Sequence, residues 1–237
     1  MQVKTRLMLG GLATLIGLLA LSVTALFLEK SSMMDDRKIK TRHLVEAAHT
    51  VLVHFHEKEK SGDLTGPEAK AAAISTINAM RYEQKEYFWL NDLTSPIPKM
   101  IMHPTVPALN NKILDGANFN CATTLQAGAD GPVERTDGRK NLFVAFNEVV
   151  QKSGHGFVTY NWPKPKLGGG TTEELFEKLS YVKKFEPWGW VIGSGIYVDD
   201  VDSKFWQMAL QFGVMVLVVM LVIAAMIRWQ VLSITRP

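Results

Sequence analysis

Three cationic or titratable residues and five aromatic ones stand out between residues 81 and 181: Arg81, His103 and Lys178, with Tyr87, Trp89, Tyr160, Trp162 and Tyr181. A carboxylate taken out of water needs a fixed cation and several hydrogen-bond donors to replace its hydration. Arg81 offers a planar bidentate fork and Lys178 a point charge. His103, Tyr160 and Tyr181 can donate, while Tyr87, Trp89 and Trp162 can wall a site with flat apolar surface. Side chains alternate across a strand, so Tyr87 and Trp89 share one face, as do Tyr160 and Trp162. Such pairs suit a small enclosed pocket for a small organic acid. Each residue also has a plainer use: the rings as ordinary core, Arg81 as a solvated helix end, Lys178 as a surface residue, and His103 as a strand-end group holding a backbone carbonyl.

Other chemistry finds less support. His49, His54 and His56 fall in one helical stretch, where a His-x-His spacing sets the two rings about 200° apart, too far to share a metal. Cys121 is the sole cysteine, which removes disulfides and cysteine-based zinc clusters, and it is expected to be inert. Gly168-Gly169-Gly170 follows a Pro-Lys-Pro-Lys segment and reads as a flexible loop, not a phosphate cradle. Gly193-Ser194-Gly195 lacks the strand–turn–helix setting of a nucleophile elbow. Asp199, Asp200 and Asp202 fit a helix start better than a cation site. An enzyme using His103 with Asp92 or Glu86 would have no nucleophile or metal beside it. The sequence therefore implies no cofactor, no metal and no catalytic residue.

Charge distribution removes nucleic acid as a partner. The chain of 237 residues carries a net charge of +3. All 23 acidic residues and 22 of the 26 Lys/Arg lie between Glu29 and Lys204, so that stretch is slightly negative and presents no basic patch. Lys4, Arg6, Arg228 and Arg236 flank two apolar runs. Leu7–Leu28 holds 22 residues without a charge and Met208–Ile227 holds 20. As helices they reach roughly 30 Å, the thickness of a hydrocarbon core. The first is too long for a signal-peptide core and shows no convincing cleavage site. Positive flanks at both ends place residues 1–6 and 228–237 in the cytoplasm, with transmembrane helices at 7–28 and 208–227. Residues 29–207 then lie outside, in the periplasm if the membrane is a bacterial inner membrane.

Between the spans the pattern is α+β. From Glu29 to about Lys60 there is no Gly or Pro, and Leu44, Ala48, Val51, Leu52 and Phe55 recur on one helical face, so the first span continues as a long helix. Thr65-Gly66-Pro67-Glu68 fits a capping box for a helix ending near Met80. Strands are expected at 86–91, 99–103, 156–162, 179–185 and 190–198, with a helix at 141–152 and mostly loop from 115 to 140. The plan is one mainly antiparallel sheet of about five strands with a long N-terminal helix, flanked by two membrane helices.

Several motifs in order carry a resemblance: Tyr87-Phe88-Trp89-Leu90-Asn91-Asp92; Met102-His103-Pro104 and Leu109; Gly156 through Pro163 (GFVTYNWP); Lys178 through Lys183; and Pro187 through Tyr197 (PWGWVIGSGIY). Together they resemble the single-Cache sensor family, extracytoplasmic PAS-like domains that serve as input modules of methyl-accepting chemotaxis receptors. The resemblance spans roughly residues 33–205 and implies a receptor segment, not an enzyme, that binds a small organic acid of two to four carbons. The apolar stripe on the 29–60 helix is expected to be buried either in the domain or against a second copy, and a homodimer is expected; the resemblance implies coupling to cytoplasmic signalling proteins through an output module beyond Pro237. Ser233-Ile234-Thr235-Arg236-Pro237 resembles the opening of a HAMP linker. The same input could instead serve a sensor histidine kinase or a nucleotide cyclase, or receive a periplasmic binding protein in place of free ligand. One departure is the long 115–140 segment with Asn118-Phe119-Asn120-Cys121, which is expected to contribute to a pocket roof.

Overall fold

The structure is a computed structural model that describes residues 3–166 and 169–235. Gly168 of the triple glycine and Arg236-Pro237 of the expected linker start lie outside the described residues. The chain forms two compact units. One comprises residues 36–199; the other joins the segments before and after it.

In the second unit the two terminal segments are helical; two helical stretches, Leu9–Ser61, whose later part belongs to the first unit, and Val201–Gln230, are long and apolar enough by length and composition to cross a membrane. Helix α1 runs unbroken from Val3 to Ser61; after Gly17 it meets no further Gly or Pro to interrupt it. Gly62, at φ +82°, ends it. Helix α2, Gly66–Ala79, follows. The backbone N–H and the hydroxyl of Thr65 both donate to Glu68 Oε2, at 2.8 and 2.7 Å. Ala69, Ala73 and Ile77 bury one stripe of α2.

Seven strands make one antiparallel sheet: β1 (Trp89–Asp92), β2 (Met100–Met102), β3 (Asn120–Ala127), β4 (Val133–Asn141), β5 (His155–Pro165), β6 (Thr171–Phe185) and β7 (Trp190–Tyr197). Their spatial order is β2-β1-β7-β6-β5-β3-β4. The five expected strands are all present, with β5 and β6 longer than the apolar runs suggested. The two further strands, β3 and β4, occupy the segment read as loop. Strand β4 (VERTDGRKN) has no apolar alternation because it is the charged outer edge of the sheet, where Lys, Arg and Glu discourage further pairing. Its order comes from the backbone ladder to β3.

Helix α3, Leu142–Ser153, covers one face of the sheet. The Asn141 side chain caps it, accepting from the N–H groups of Phe143 and Val144, and Gly154 closes it in the left-handed conformation. Leu142, Phe143, Phe146, Val149 and Val150 point into the core beneath. The opposite face carries α1, through His49 Nε2 to the Lys184 carbonyl, Lys38 Nζ to Gln126 Oε1, and the Trp188 indole N–H to Glu59 Oε2.

The Gly193-Ser194-Gly195 run has a packing role. A Cβ on Gly193 would sit 2.3 Å from the Trp89 ring, and one on Gly195 would sit 2.1 Å from Ser180 Oγ. Both glycines let neighbours on the α3 side lie directly against the strand. Gly193→Ala is therefore expected to destabilise the domain by about 1–3 kcal/mol, as overpacking does. Urea unfolding measures this; an unchanged midpoint would refute the close-approach reading.

Candidate functional site

Lys178 sits mid-sheet on β6, directly opposite Tyr160 on β5 and Tyr197 on β7. Its side chain is buried, at 1% exposure, on the face that α3 covers. The ammonium lies between two rings, 4.5 Å from the centroid of Tyr87 and 4.6 Å from that of Tyr197. It also makes one long hydrogen bond, 3.5 Å, to the Tyr197 hydroxyl. Among the described residues it forms no ion pair. Cation–π contacts contribute about 1–2 kcal/mol each, less than the several kcal/mol that full dehydration of an ammonium costs.

Around it the rings interlock. Tyr160 shares a hydrogen bond with Ser180 Oγ at 2.8 Å and packs edge-on against Phe146 and Trp162. Burial pushes the Tyr160 hydroxyl well above its ordinary range, so it stays protonated. Trp162 meets Phe119, Phe143 and His103, while His103 lies 4.9 Å from the Tyr87 ring. His103 Nδ1 accepts from the Val106 N–H at 3.1 Å, which leaves the proton on Nε2 and gives the imidazole a donor. Burial, with the nearby Lys178 charge, lowers its pKa to about 3. Trp89 forms the floor, stacked near Phe146 with its indole N–H donated to Asn91 Oδ1. Asn91 in turn donates to Asn147 of α3.

The cluster thus gathers Tyr87, Trp89, His103, Tyr160, Trp162 and Lys178. Two expected members are elsewhere. Arg81 is exposed, and its guanidinium donates to the carbonyls of Asn78 and Met80, both at 2.7 Å. Helix α2 ends at Ala79 with unsatisfied carbonyls, and the nearest long donor takes them. Tyr181 is buried on the other face, against Phe157 and His155, with Glu46 and Arg42 of α1 as charged neighbours. It lies three positions along the strand from Lys178, and an odd offset in a strand means opposite faces.

Residues the sequence reading left out include Tyr197, Ser180, Phe143 and Phe146. Tyr197 had a signal: the four-residue turn Glu186–Gly189 pairs Phe185 with Trp190, and counting back along both strands brings Lys178 opposite Tyr197. Phe119, from the 115–140 segment, stacks on Trp162 with ring centroids 6.2 Å apart. Cys121 is half-buried, its thiol pushed up to about 11 by burial, which suppresses thiolate chemistry.

A single antiparallel sheet with a long helix on one face and a ring-caged cation under a short helix on the other defines a sensor-type ligand-binding fold. The chain belongs to the Cache domain family, whose family model matches residues 22–211. It is similar to the methyl-accepting chemotaxis protein McpP of Pseudomonas putida, 36% identical over 84% of this chain and 32% of that protein. It is also similar to the sensor histidine kinase MctS of Rhizobium johnstonii, 24% identical over 74% of this chain and 32% of that protein. The chain spans about a third of the length of these curated relatives. A solved periplasmic sensor domain of a chemotaxis protein matches at 38% identity and TM-score 0.56, over 70% of this chain and 98% of its own. Another, described as the basis for carboxylic acid recognition by a Cache chemosensory domain, matches at 35% identity and TM-score 0.55, over 71% of this chain and 97% of its own.

The neutral, buried His103 has a consequence for stability. Its folded value near 3 lies below an unfolded value near 6.5, so the penalty is absent above about pH 6.5. It grows by about 1.4 kcal/mol per unit as pH falls towards 3, because only the unfolded chain takes up the proton. Between pH 7 and 5 the wild type is expected to lose about 2 kcal/mol more than His103→Gln in urea unfolding. Equal losses would contradict this assignment.

Proposed function

We propose that the chain is the sensing and membrane-spanning segment of a bacterial chemoreceptor, and that it binds a C2–C4 organic acid at Lys178. The observation that carries this reading is the buried ammonium caged by Tyr87 and Tyr197 without an ion pair among the described residues. A ligand carboxylate supplies the missing counter-charge, with Tyr160 and the Nε2–H of His103 as further donors. The aromatic walls suit a short carbon tail. With Arg81 outside the cluster there is one cation for one carboxylate, which favours monocarboxylates. The carboxylic-acid theme of the similar sensor domain supports the same ligand class.

In this reading residues 7–28 and 208–227 span the inner membrane, 29–207 face the periplasm, and 228–237 begin a HAMP linker. The 36%-identical chemotaxis relative supports a chemotaxis output; the kinase relative at 24% keeps a histidine-kinase output as the second reading. The receptor acts as a homodimer, passing its signal to cytoplasmic signalling proteins. Strand β7 ends at Tyr197 and the last helix, α4 (Asp199–Thr235), begins after Val198, so a ligand that pulls on Tyr197 acts one residue from the helix leading to the membrane. Helix shifts of about 1–2 Å are a known switching mode, and ligand drives one only by binding the two states unequally.

Isothermal titration of the 30–205 fragment with acetate, propionate, pyruvate and lactate tests the ligand. At least one of these acids is expected to bind, with succinate weaker. Lys178→Met should weaken binding about 100-fold, from roughly 3 kcal/mol of charge-assisted contact, while Arg81→Ala changes it less than about threefold, within the worth of a rim charge. Absence of heat from every C2–C4 acid would retire the proposal.

A further inference from the structure

The buried cluster is closed: Lys178 is 1% exposed and His103 3%. Any ligand must arrive through a wall. A cleft of about 430 Å³ lies immediately outside one wall, lined among others by Arg81, Lys85, Pro104, Thr105 and Lys166. Three of its lining residues are cations, and none of the described ones is acidic. Thr105 belongs to both spaces. It lines the cleft, and its hydroxyl is 3.4 Å from His103 Nδ1, while the His103 ring faces Tyr87, which touches Lys178.

We infer that this cationic cleft is the port through which carboxylates reach Lys178, and that Lys85 and Lys166 steer them to it. The inference rests on the ligand reading above. The wall itself is the kind of segment that opens. Beyond the end of β2 at Met102, residues 103–110 have no strand ladder: side-chain acceptors take the N–H groups of His103 and Val106, and one 3-10 turn, Pro107–Leu109, supplies two short-range backbone bonds, from the Leu109 N–H to the Val106 carbonyl and from the Asn110 N–H to the Pro107 carbonyl. The His103 N–H donates to Asn110 Oδ1 at 2.7 Å, and the Val106 N–H donates to His103 Nδ1. Pro104 and Pro107 have no N–H to give. Few backbone bonds and partial exposure mean a low cost of local opening. The charges supply the other half. A cleft of one sign raises the local concentration of small counter-ions and lifts association rates by about 10- to 1,000-fold at low ionic strength. The charge ordering is also efficient: loosely held cations outside attract the anion, and a caged cation inside retains it.

Stopped-flow intrinsic fluorescence on the full chain in detergent micelles, with propionate as probe, reads this out, since Trp89 and Trp162 lie in the cluster. The charge-reversed pair Lys85→Glu with Lys166→Glu leaves the cluster and the Arg81 cap of α2 untouched. At about 20 mM salt its association rate is expected to fall about tenfold, with dissociation changed less than twofold, and the difference should vanish near 0.5 M salt. Thr105→Trp, which narrows the wall, should slow association and dissociation by similar factors and leave the equilibrium constant nearly unchanged. Propionate binding with an unaltered association rate in the charge-reversed pair overturns the port alone. No propionate binding to the wild type overturns the ligand reading and the port with it.

Discussion

An ammonium group that leaves water must find other negative charge density or stay destabilised by several kcal/mol. Among the described residues Lys178 finds it in the faces of Tyr87 and Tyr197 and one long bond to the Tyr197 hydroxyl, with no ion pair. Much of the surrounding structure follows from holding that group in place. Two strands flank β6 in register, so that Tyr160 and Tyr197 stand on either side of Lys178. Gly193 and Gly195 remove Cβ atoms so that Trp89 and Ser180 can lie flat beside them. Helix α3 seals the space with Phe143 and Phe146. Tyr160 and a neutral histidine offer donors that need no charge of their own, while the Tyr197 hydroxyl donates to the Pro163 carbonyl, and burial keeps the histidine neutral across physiological pH.

The sheet divides its work by the pleat. Odd positions of β6, such as Tyr181 and Phe185, pack towards α1, while even positions, Lys178, Ser180 and Val182, face α3. One strand therefore carries a structural face and a recognition face without a residue that serves both. β7 is buried on both sides along its whole length and reads as a near-continuous apolar run, whereas β6 is buried on both sides only from Lys178 to Val182. Ser194 stands on the structural face, bonded to the Tyr87 carbonyl and the Tyr82 hydroxyl, and so fixes the chain just before one wall of the cage.

Most of the fold could be read from local signals. The uninterrupted α1, the cap at Thr65 and the amphipathic α3 all state themselves in residue type and spacing. Strand β4 does not, because an edge strand is ordered by its backbone ladder and by charges that discourage pairing, and neither leaves an apolar period; β3, between β5 and β4, buries only Ala122 and Leu125 among its apolar residues, a spacing of three that shows no strand alternation. Within the site, Tyr87, Trp89, His103, Tyr160, Trp162 and Lys178 come together as their chemistry suggests. Arg81 does not: residue type gives a guanidinium's capability, but the carbonyls at the end of α2 lie closer. Tyr181 could have been excluded by parity and Tyr197 included by counting through the Glu186–Gly189 turn. Burial of Lys178 leaves no local trace, since Glu177 and Leu179 flank it equally well on a surface.

The most direct measurement is a crystal structure of the 30–205 fragment with propionate. The account predicts a carboxylate about 3 Å from Lys178 Nζ, within reach of His103 Nε2 and the Tyr160 hydroxyl, with the carbon tail against Trp162. A carboxylate seated instead at Arg81 in the outer cleft, with the Lys178 cage unchanged, would contradict it.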